Sequence, residues 1–249
     1  MLLVIPSIEI LNGRCAHSAK SASGELYSDD PIEMAKLWRK ENAKSIHVTD
    51  LDAVRTGIPV NFDIIKKMVR TVDIPFELGG GLRTFDAVKN VIENGIYRAV
   101  IGTMFIENPD EAKKCIDKFN ASKVVLAVNA ENFQTKFRGG IDTGLTPISA
   151  ALNAKQLGFR RIIYTDVVAK NGSREINPEA ITLIAENTKM RITVSGGVSG
   201  LDNLLTLQKL EPIGVDSVII GRALYENKFS CQQIWRMCEK GNYPYTARI

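Results

Sequence analysis

The chain has 249 residues, 45% hydrophobic and 24% charged, an ordinary mix for a soluble globular protein with a buried core. Its 32 Lys and Arg against 28 Asp and Glu leave a net charge of +4, scattered with no dense run; this argues against a nucleic-acid stripe and suits an anionic small molecule. Two histidines and four cysteines (Cys15, Cys115, Cys231, Cys238) with no C-x-x-C pair argue against structural zinc.

The apolar start, Met1 to Ile8, is too short to span a membrane and meets Glu9 at once, so it reads as a first buried strand. Short Val- and Ile-rich runs follow at 45–50, 75–78, 98–101, 123–129, 160–165, 191–195 and 216–220. Each is nearly continuous in hydrophobicity, as parallel strands covered on both faces require. Amphipathic stretches alternate with them, predicting helices over 31–42, 61–72, 84–95, 109–119, 146–158, 178–188, 202–210 and 230–240. Asp30-Pro31, Asn108-Pro109 and Asn177-Pro178 each read as an N-cap followed by proline at the first helical position. Gly95 and Gly158 stand where a helix-ending glycine belongs. Eight strand–helix pairs in one chain predict an α/β fold, a single (β/α)8 TIM barrel over 1–249. A doubly wound sheet is the rival, but it would more often carry a glycine fingerprint after its first strand, and Pro6-Ser7-Ile8-Glu9 is none.

One pattern occurs twice, half a chain apart. Phe76-Glu77-Leu78-Gly79-Gly80-Gly81 with Val100-Ile101-Gly102-Thr103 is echoed by Ile192-Thr193-Val194-Ser195-Gly196-Gly197 with Ile219-Ile220-Gly221-Arg222. Likewise His47-Val48-Thr49-Asp50 is echoed by Ile163-Tyr164-Thr165-Asp166, so half-barrels of about 1–120 and 121–240 repeat. Glycine at a strand end lets backbone N–H groups approach an anion, and a helix N-terminus behind it adds its dipole. Gly80, Gly81, Gly102 and Thr103 are one candidate phosphate site; Gly196, Gly197, Gly221 and Arg222 are the other. They face each other across the C-terminal mouth, with the ends of strands 1 and 5 between them, and imply a ligand with two phosphates.

The run Ile5-Pro6-Ser7-Ile8-Glu9 through Asn12-Gly13-Arg14, with His47-Val48-Thr49-Asp50-Leu51-Asp52, Gly79-Gly80-Gly81-Leu82-Arg83, Tyr164-Thr165-Asp166, Ser195-Gly196-Gly197-Val198 and Gly221-Arg222-Ala223-Leu224, resembles the histidine-biosynthesis barrels over almost the whole chain. Within them it resembles the ProFAR isomerase branch most. The resemblance implies an Amadori rearrangement of an imidazole-carboxamide ribotide with a phosphate at each end, with no cofactor and no metal. It also implies a carboxylate base at the end of strand 1 and a carboxylic acid at the end of strand 5. Here Glu9 stands for the first and Asn129 for the second, and Asn171-Gly172-Ser173 for a third aspartate triplet. An amide orients a hydroxyl but cannot donate a proton as an acid. His17 replaces a loop arginine, Ser21 a loop glycine, and Arg138-Gly139-Gly140 an R-G-W triplet.

Glu9, Asn129, Thr165 and Asp166 are therefore the candidate catalytic residues, Glu9 as base and the others as polar helpers. Each has a plainer reading: Glu9 a rim residue, Asn129 a cap or turn residue, Asp50 and Asp166 structural acceptors, Thr165 a filler of the top layer. His17 reads as exposed and His47 as structural. Lys170 in loop 6 is a weak candidate for Schiff-base chemistry. Two functions stay open: an isomerase, or a catalytically impaired or repurposed paralogue that binds a phosphorylated metabolite. Free thiols and no secretion signal point to the cytoplasm. A monomer is expected, a partner subunit being the other arrangement.

Overall fold

A computed structural model of the chain describes residues 2–16, 28–131, 133–137, 141–166, 168–170, 173–226 and 228. Eight strands carry the fold: β1 (Leu3–Leu11), β2 (Ile46–Asp50), β3 (Phe76–Gly79), β4 (Arg98–Ile101), β5 (Val124–Glu131), β6 (Arg161–Asp166), β7 (Arg191–Ser195) and β8 (Val215–Ile220). Each pairs in parallel with the next, and β1 pairs with β8 from Leu3↔Ser217 to Pro6↔Ile220, so the sheet closes. This is the expected (β/α)8 barrel; closure leaves the barrel sheet without a free edge.

Seven helices of the described residues form its outer layer: α1 (Pro31–Lys40), α2 (Phe62–Thr71), α3 (Phe85–Glu93), α4 (Pro109–Phe119), α5 (Pro147–Leu157), α6 (Pro178–Thr188) and α7 (Leu201–Lys209). Two of the three expected Asx–Pro starts are true caps: Asp30 Oδ1 accepts from Ile32 N at 2.7 Å and Asn177 Oδ1 from Ala180 N at 3.1 Å. Asn108 makes no such side-chain bond, because the short helix Thr103–Glu107 runs into it. Gly158 ends α5 at φ +106, and Gly95 follows α3 at φ +100. The helix expected over 230–240, with Cys231, Cys238 and the aromatic tail, lies outside the described residues.

Side chains alternate along each strand. One set packs against the helices in the main core. The other points into the barrel, where Ile5, Val100, Val125, Ile163 and Ile219 form their own buried cluster. Burying such a side chain stabilises by about 1.5–3 kcal/mol. Towards the N-terminal end, the barrel carries charge. Glu77 accepts from Arg98 Nη1 at 2.8 Å, and Arg161 binds Asp216 and donates to Thr193 (3.0 Å) and Ser217 (3.1 Å).

Short elements at the C-terminal face extend the expected plan. Arg14–Cys15 folds back on β1, Gln134–Phe137 on β5, and Val168–Lys170 pairs with Ser173–Glu175 beyond β6. Helices Leu51–Thr56, Thr103–Glu107 and Arg222–Tyr225 follow β2, β4 and β8 directly.

Candidate active site

Two cavities open at the C-terminal face. The larger, of about 640 Å³, is lined by Gly196, Gly197, Gly221 and Arg222, with Ser7, Tyr225 and Lys228 beside them. The smaller, of about 320 Å³, is lined by Gly80, Gly81, Gly102 and Thr103, with His47, Thr49, Arg83 and Asn129. Each expected phosphate set is thus gathered in one cavity, one set per side of the barrel. Glu9, Thr165 and Ser195 line both and form the wall between them.

Close packing explains most of the glycines. A Cβ on Gly81 (φ +67) would fall 2.6 Å from the Ala53 Cβ, and one on Gly80 2.4 Å from the Asp50 carbonyl oxygen. Across the barrel, a Cβ on Gly197 (φ +73) would fall 2.5 Å from the Glu175 carbonyl carbon. In both halves the glycine turn after one strand is pressed onto the segment following the preceding strand, β2 or β6. Gly102 differs: a Cβ there would make only ordinary contacts, 3.6 Å or more away. Packing does not demand glycine at Gly102, whereas an approaching ligand would. Gly221 lies under Ser7, whose Oγ would be 2.9 Å from an added Cβ.

Thr103 and Arg222 open the short helices behind Gly102 and Gly221. The first N–H groups of a helix lack partners within it. Arg222 and Lys228 add cationic side chains to the larger cavity, and Arg83 adds one to the smaller. Arg83 is braced by Nη2 donating to the Val54 carbonyl at 2.8 Å. Tyr225 fixes the floor of the larger cavity: its hydroxyl donates to the Ser7 carbonyl at 2.9 Å, and its ring meets Trp38 edge-on at 5.3 Å. Burial pushes the Tyr225 phenol well above its ordinary pKa.

Glu9 is half-buried, and its register partner is Thr49. Asn129 is exposed at the cavity, paired in register with Thr165 on one side and Lys136 on the other. It sits in a strand, so it caps no helix; Thr146 caps α5 instead. Asp166 follows Thr165 on β6, opposite Ala130, and its side chain lies outside the described residues, as do His17, Ser21, Asn171, Gly172 and Arg138-Gly139-Gly140.

Asp50 proves structural. It is 1% exposed, N-caps the helix after β2 through Ala53 N (3.0 Å), and binds both nitrogens of Asn61. Asp52 joins the same network, accepting from Asn12 N at 2.6 Å and Asn61 Nδ2 at 2.8 Å, which ties the turn after β1 to the loop after β2. Asn61 lowers the Asp52 carboxyl, with help from Asn12.

His47 combines a structural place with cavity exposure. Its Nδ1 faces the buried Glu77 Oε2 at 3.5 Å, and its Nε2 lies 3.3 Å from Thr49 Oγ1. Burial alone would raise the Glu77 carboxyl, but His47 and Arg98 outweigh it and hold it below the usual carboxylate range. Thr49, Ser7 and Ser195 complete the polar lining. Their inward direction follows from two-residue alternation with Glu9, His47 and Thr193.

With that geometry in view, the comparisons decide the family. The model of the family described as Histidine biosynthesis protein matches residues 3–230. The chain belongs to this family. It is 43% identical to a protein of Chlorobium phaeobacteroides (strain BS1) over 242 residues, 96% of this chain and 93% of the other. It is 43% identical to one of Chloroherpeton thalassium over 96% of this chain and 92% of the other. A protein of Salinibacter ruber is 41% identical over 96% of this chain and 95% of the other. All three relatives are named 1-(5-phosphoribosyl)-5-((5-phosphoribosylamino)methylideneamino) imidazole-4-carboxamide isomerase. No helix of the described residues is long and apolar enough to cross a membrane.

Proposed function

We propose that this histidine-biosynthesis barrel is an aldose–ketose isomerase acting on the doubly phosphorylated imidazole-carboxamide ribotide that its relatives' names describe. The observation that carries the reading is the pair of cavities divided by Glu9, Thr165 and Ser195. A substrate with a phosphoribosyl group at each end would rest one phosphate on Gly80, Gly81, Gly102 and Thr103, and the other on Gly196, Gly197, Gly221 and Arg222. Its reacting carbons would then lie over the dividing wall.

In this reading Glu9 is the base that takes the C2 proton. Asn129 and Thr165 hold the ring oxygen and a hydroxyl, and Asp166 is a further polar helper. The rearrangement is a proton shuttle and consumes no cofactor. We read residues 1–249 as one domain with repeating halves, working as a monomer in the cytoplasm; the free, buried thiols of Cys15 and Cys115 support the location.

The test is ProFAR isomerisation by the purified protein beside an Asn129→Asp variant. Turnover by the natural chain supports the isomerase. Turnover by Asn129→Asp alone would instead support the catalytically impaired paralogue, with binding kept and the acid lost. Silence from both, with no ribotide bound, would overturn the substrate.

A further inference from the structure

The isomerase reading leaves one role unfilled. Ring opening needs a proton donor, and the amide of Asn129 is not an acid. Among the described residues lining the smaller cavity, the titratable groups are Glu9, His47 and Arg83. Glu9 is needed as the base, and an arginine does not give up its proton near neutral pH. Of these three, the imidazole is the one suited to give up a proton.

We infer that His47 is the general acid of this barrel, passing its proton through the Thr49 hydroxyl to the substrate's ring oxygen, with Glu77 as the positioning residue behind it. The inference rests on the isomerase reading and deepens it. Three features of the geometry carry it. First, Glu77 and His47 face each other: Glu77 Oε2 and His47 Nδ1 are both buried, neither makes a hydrogen bond, and they lie 3.5 Å apart. The facing carboxylate orients the ring with Nε2 towards Thr49. Arg98 holds the other Glu77 oxygen at 2.8 Å and fixes the carboxylate's direction. Second, His47 Nε2 lies 3.3 Å from Thr49 Oγ1. When the ring donates its Nε2 proton to that oxygen, the threonine's own O–H is left to point elsewhere, and Thr49 lines the cavity beside Glu9, its register partner. Third, His47 lines the cavity, and glycine stands beside its ring on the mouth side: a Cβ on Gly79, two residues beyond its register partner Glu77 on β3, would come 3.9 Å from His47 Cε1. A larger side chain would cover the imidazole.

The step balances. Thr49 gives its proton to the ring oxygen as it takes one from His47 Nε2. The C1–O bond breaks with its electron pair going to that oxygen, and the amino nitrogen's lone pair closes a C=N bond. Glu9 then removes the C2 proton and an enolamine forms. Protonation at C1 from Glu9, with loss of the C2 hydroxyl proton back through Thr49 to the imidazole, gives the ketose and restores both groups.

The experiment compares kcat and KM for ProFAR isomerisation in the natural chain, His47→Gln, Thr49→Val, Thr49→Ser and the double variant His47→Gln/Asn129→Asp, with thermal melting of each. General acid catalysis contributes about 10²–10⁴-fold, so kcat falls by that order in His47→Gln and Thr49→Val, with KM within a few-fold. Thr49→Ser, which keeps the hydroxyl, stays within about tenfold of the natural chain. In the double variant a carboxylic acid at β5 restores at least part of the lost kcat, which lost packing alone would not do. Thr49 lies outside the buried ion pair, so Thr49→Val tests the relay even if His47→Gln folds poorly. Glu77→Gln removes the carboxylate that faces Nδ1, so kcat falls while KM stays within a few-fold. Turnover that survives intact in both His47→Gln and Thr49→Val overturns this acid while leaving the isomerase standing. A natural chain with no turnover removes both.

Discussion

Asn61 grips Asp50 twice: its backbone N–H donates to Oδ2 at 3.0 Å and its side-chain amide to Oδ1 at 2.7 Å. The same carboxylate caps the helix after β2, and the Asp50 carbonyl lies against Gly80. A charge at the tip of a catalytic-face strand is thereby consumed in holding the loop that backs one cavity.

Asp50→Ala should therefore act on stability first. Losing a cap contributes about 0.5–2 kcal/mol, and stranding the Asn61 donors adds about 1–3 kcal/mol. Urea unfolding should show a loss of about 1.5–5 kcal/mol on those figures. A variant of unchanged stability but abolished ligand binding would make Asp50 a binding residue instead.

The glycines divide into two kinds, and alanine separates them. Gly81→Ala meets Ala53 at 2.6 Å in a left-handed backbone, and strain with overpacking should cost at least about 2 kcal/mol. That lowers the melting temperature by about 4–8 °C in a chain of this size. Gly102→Ala has room and no positive φ, so its melting point should hold while the KM for a phosphorylated substrate rises. Equal melting losses in the two variants would refute the distinction.

Glu77 has a depressed carboxyl pKa in the fold. A group lowered on folding contributes stability that is present above its unfolded value, about 4.3, and lost as pH falls through the folded one. The natural chain should thus lose stability steeply on acidification, and Glu77→Gln should lose less between pH 5 and 3, though it starts lower because Arg98 is left unpaired. Parallel acid-unfolding curves for the two proteins would exclude this contribution.

Burial pushes the Cys15 thiol up to about 12 and the Cys115 thiol up to about 11. Thiolate is the reactive form. Both should resist alkylation by iodoacetamide at pH 8 in the native protein and react fully in denaturant, as peptide mass mapping would show. Rapid native labelling of either would mean that its surroundings open.

Much of the barrel was legible because its strands are continuous apolar runs and its helices announce themselves at Asp30-Pro31, Asn177-Pro178 and Gly158. The hairpins were harder, although Asn12-Gly13 occupies the turn before Arg14–Cys15 with φ of +51 and +77. An Asn-Gly pair is a strong hairpin signal, here overshadowed by the apolar strand in front. The short helices after β2, β4 and β8 hold at most six residues, too few for a 3.6-residue period to emerge. In the site, the glycine sets could be read because they recur. Asp50 could not be resolved, since its partner Asn61 is eleven residues away and only folding brings it near. That Thr49 and His47 line the cavity was within reach: residues two apart on a strand share a face, so the candidate Glu9 on β1 directs attention to the register pairs Ser7↔His47 and Glu9↔Thr49.

The wall of Glu9, Thr165 and Ser195 between the cavities also sets how the protein would choose among ligands. Once one end of a two-headed molecule is seated, the other is tethered within reach of its own cavity, and short tethers give effective concentrations of order mM. Avidity of this kind exceeds the affinity of either half by about 10²–10⁴-fold without any new contact. Free phosphate and single-headed sugar phosphates, however abundant, would compete poorly at either end. Length, more than the chemistry of any one headgroup, is what such a pair of cavities measures.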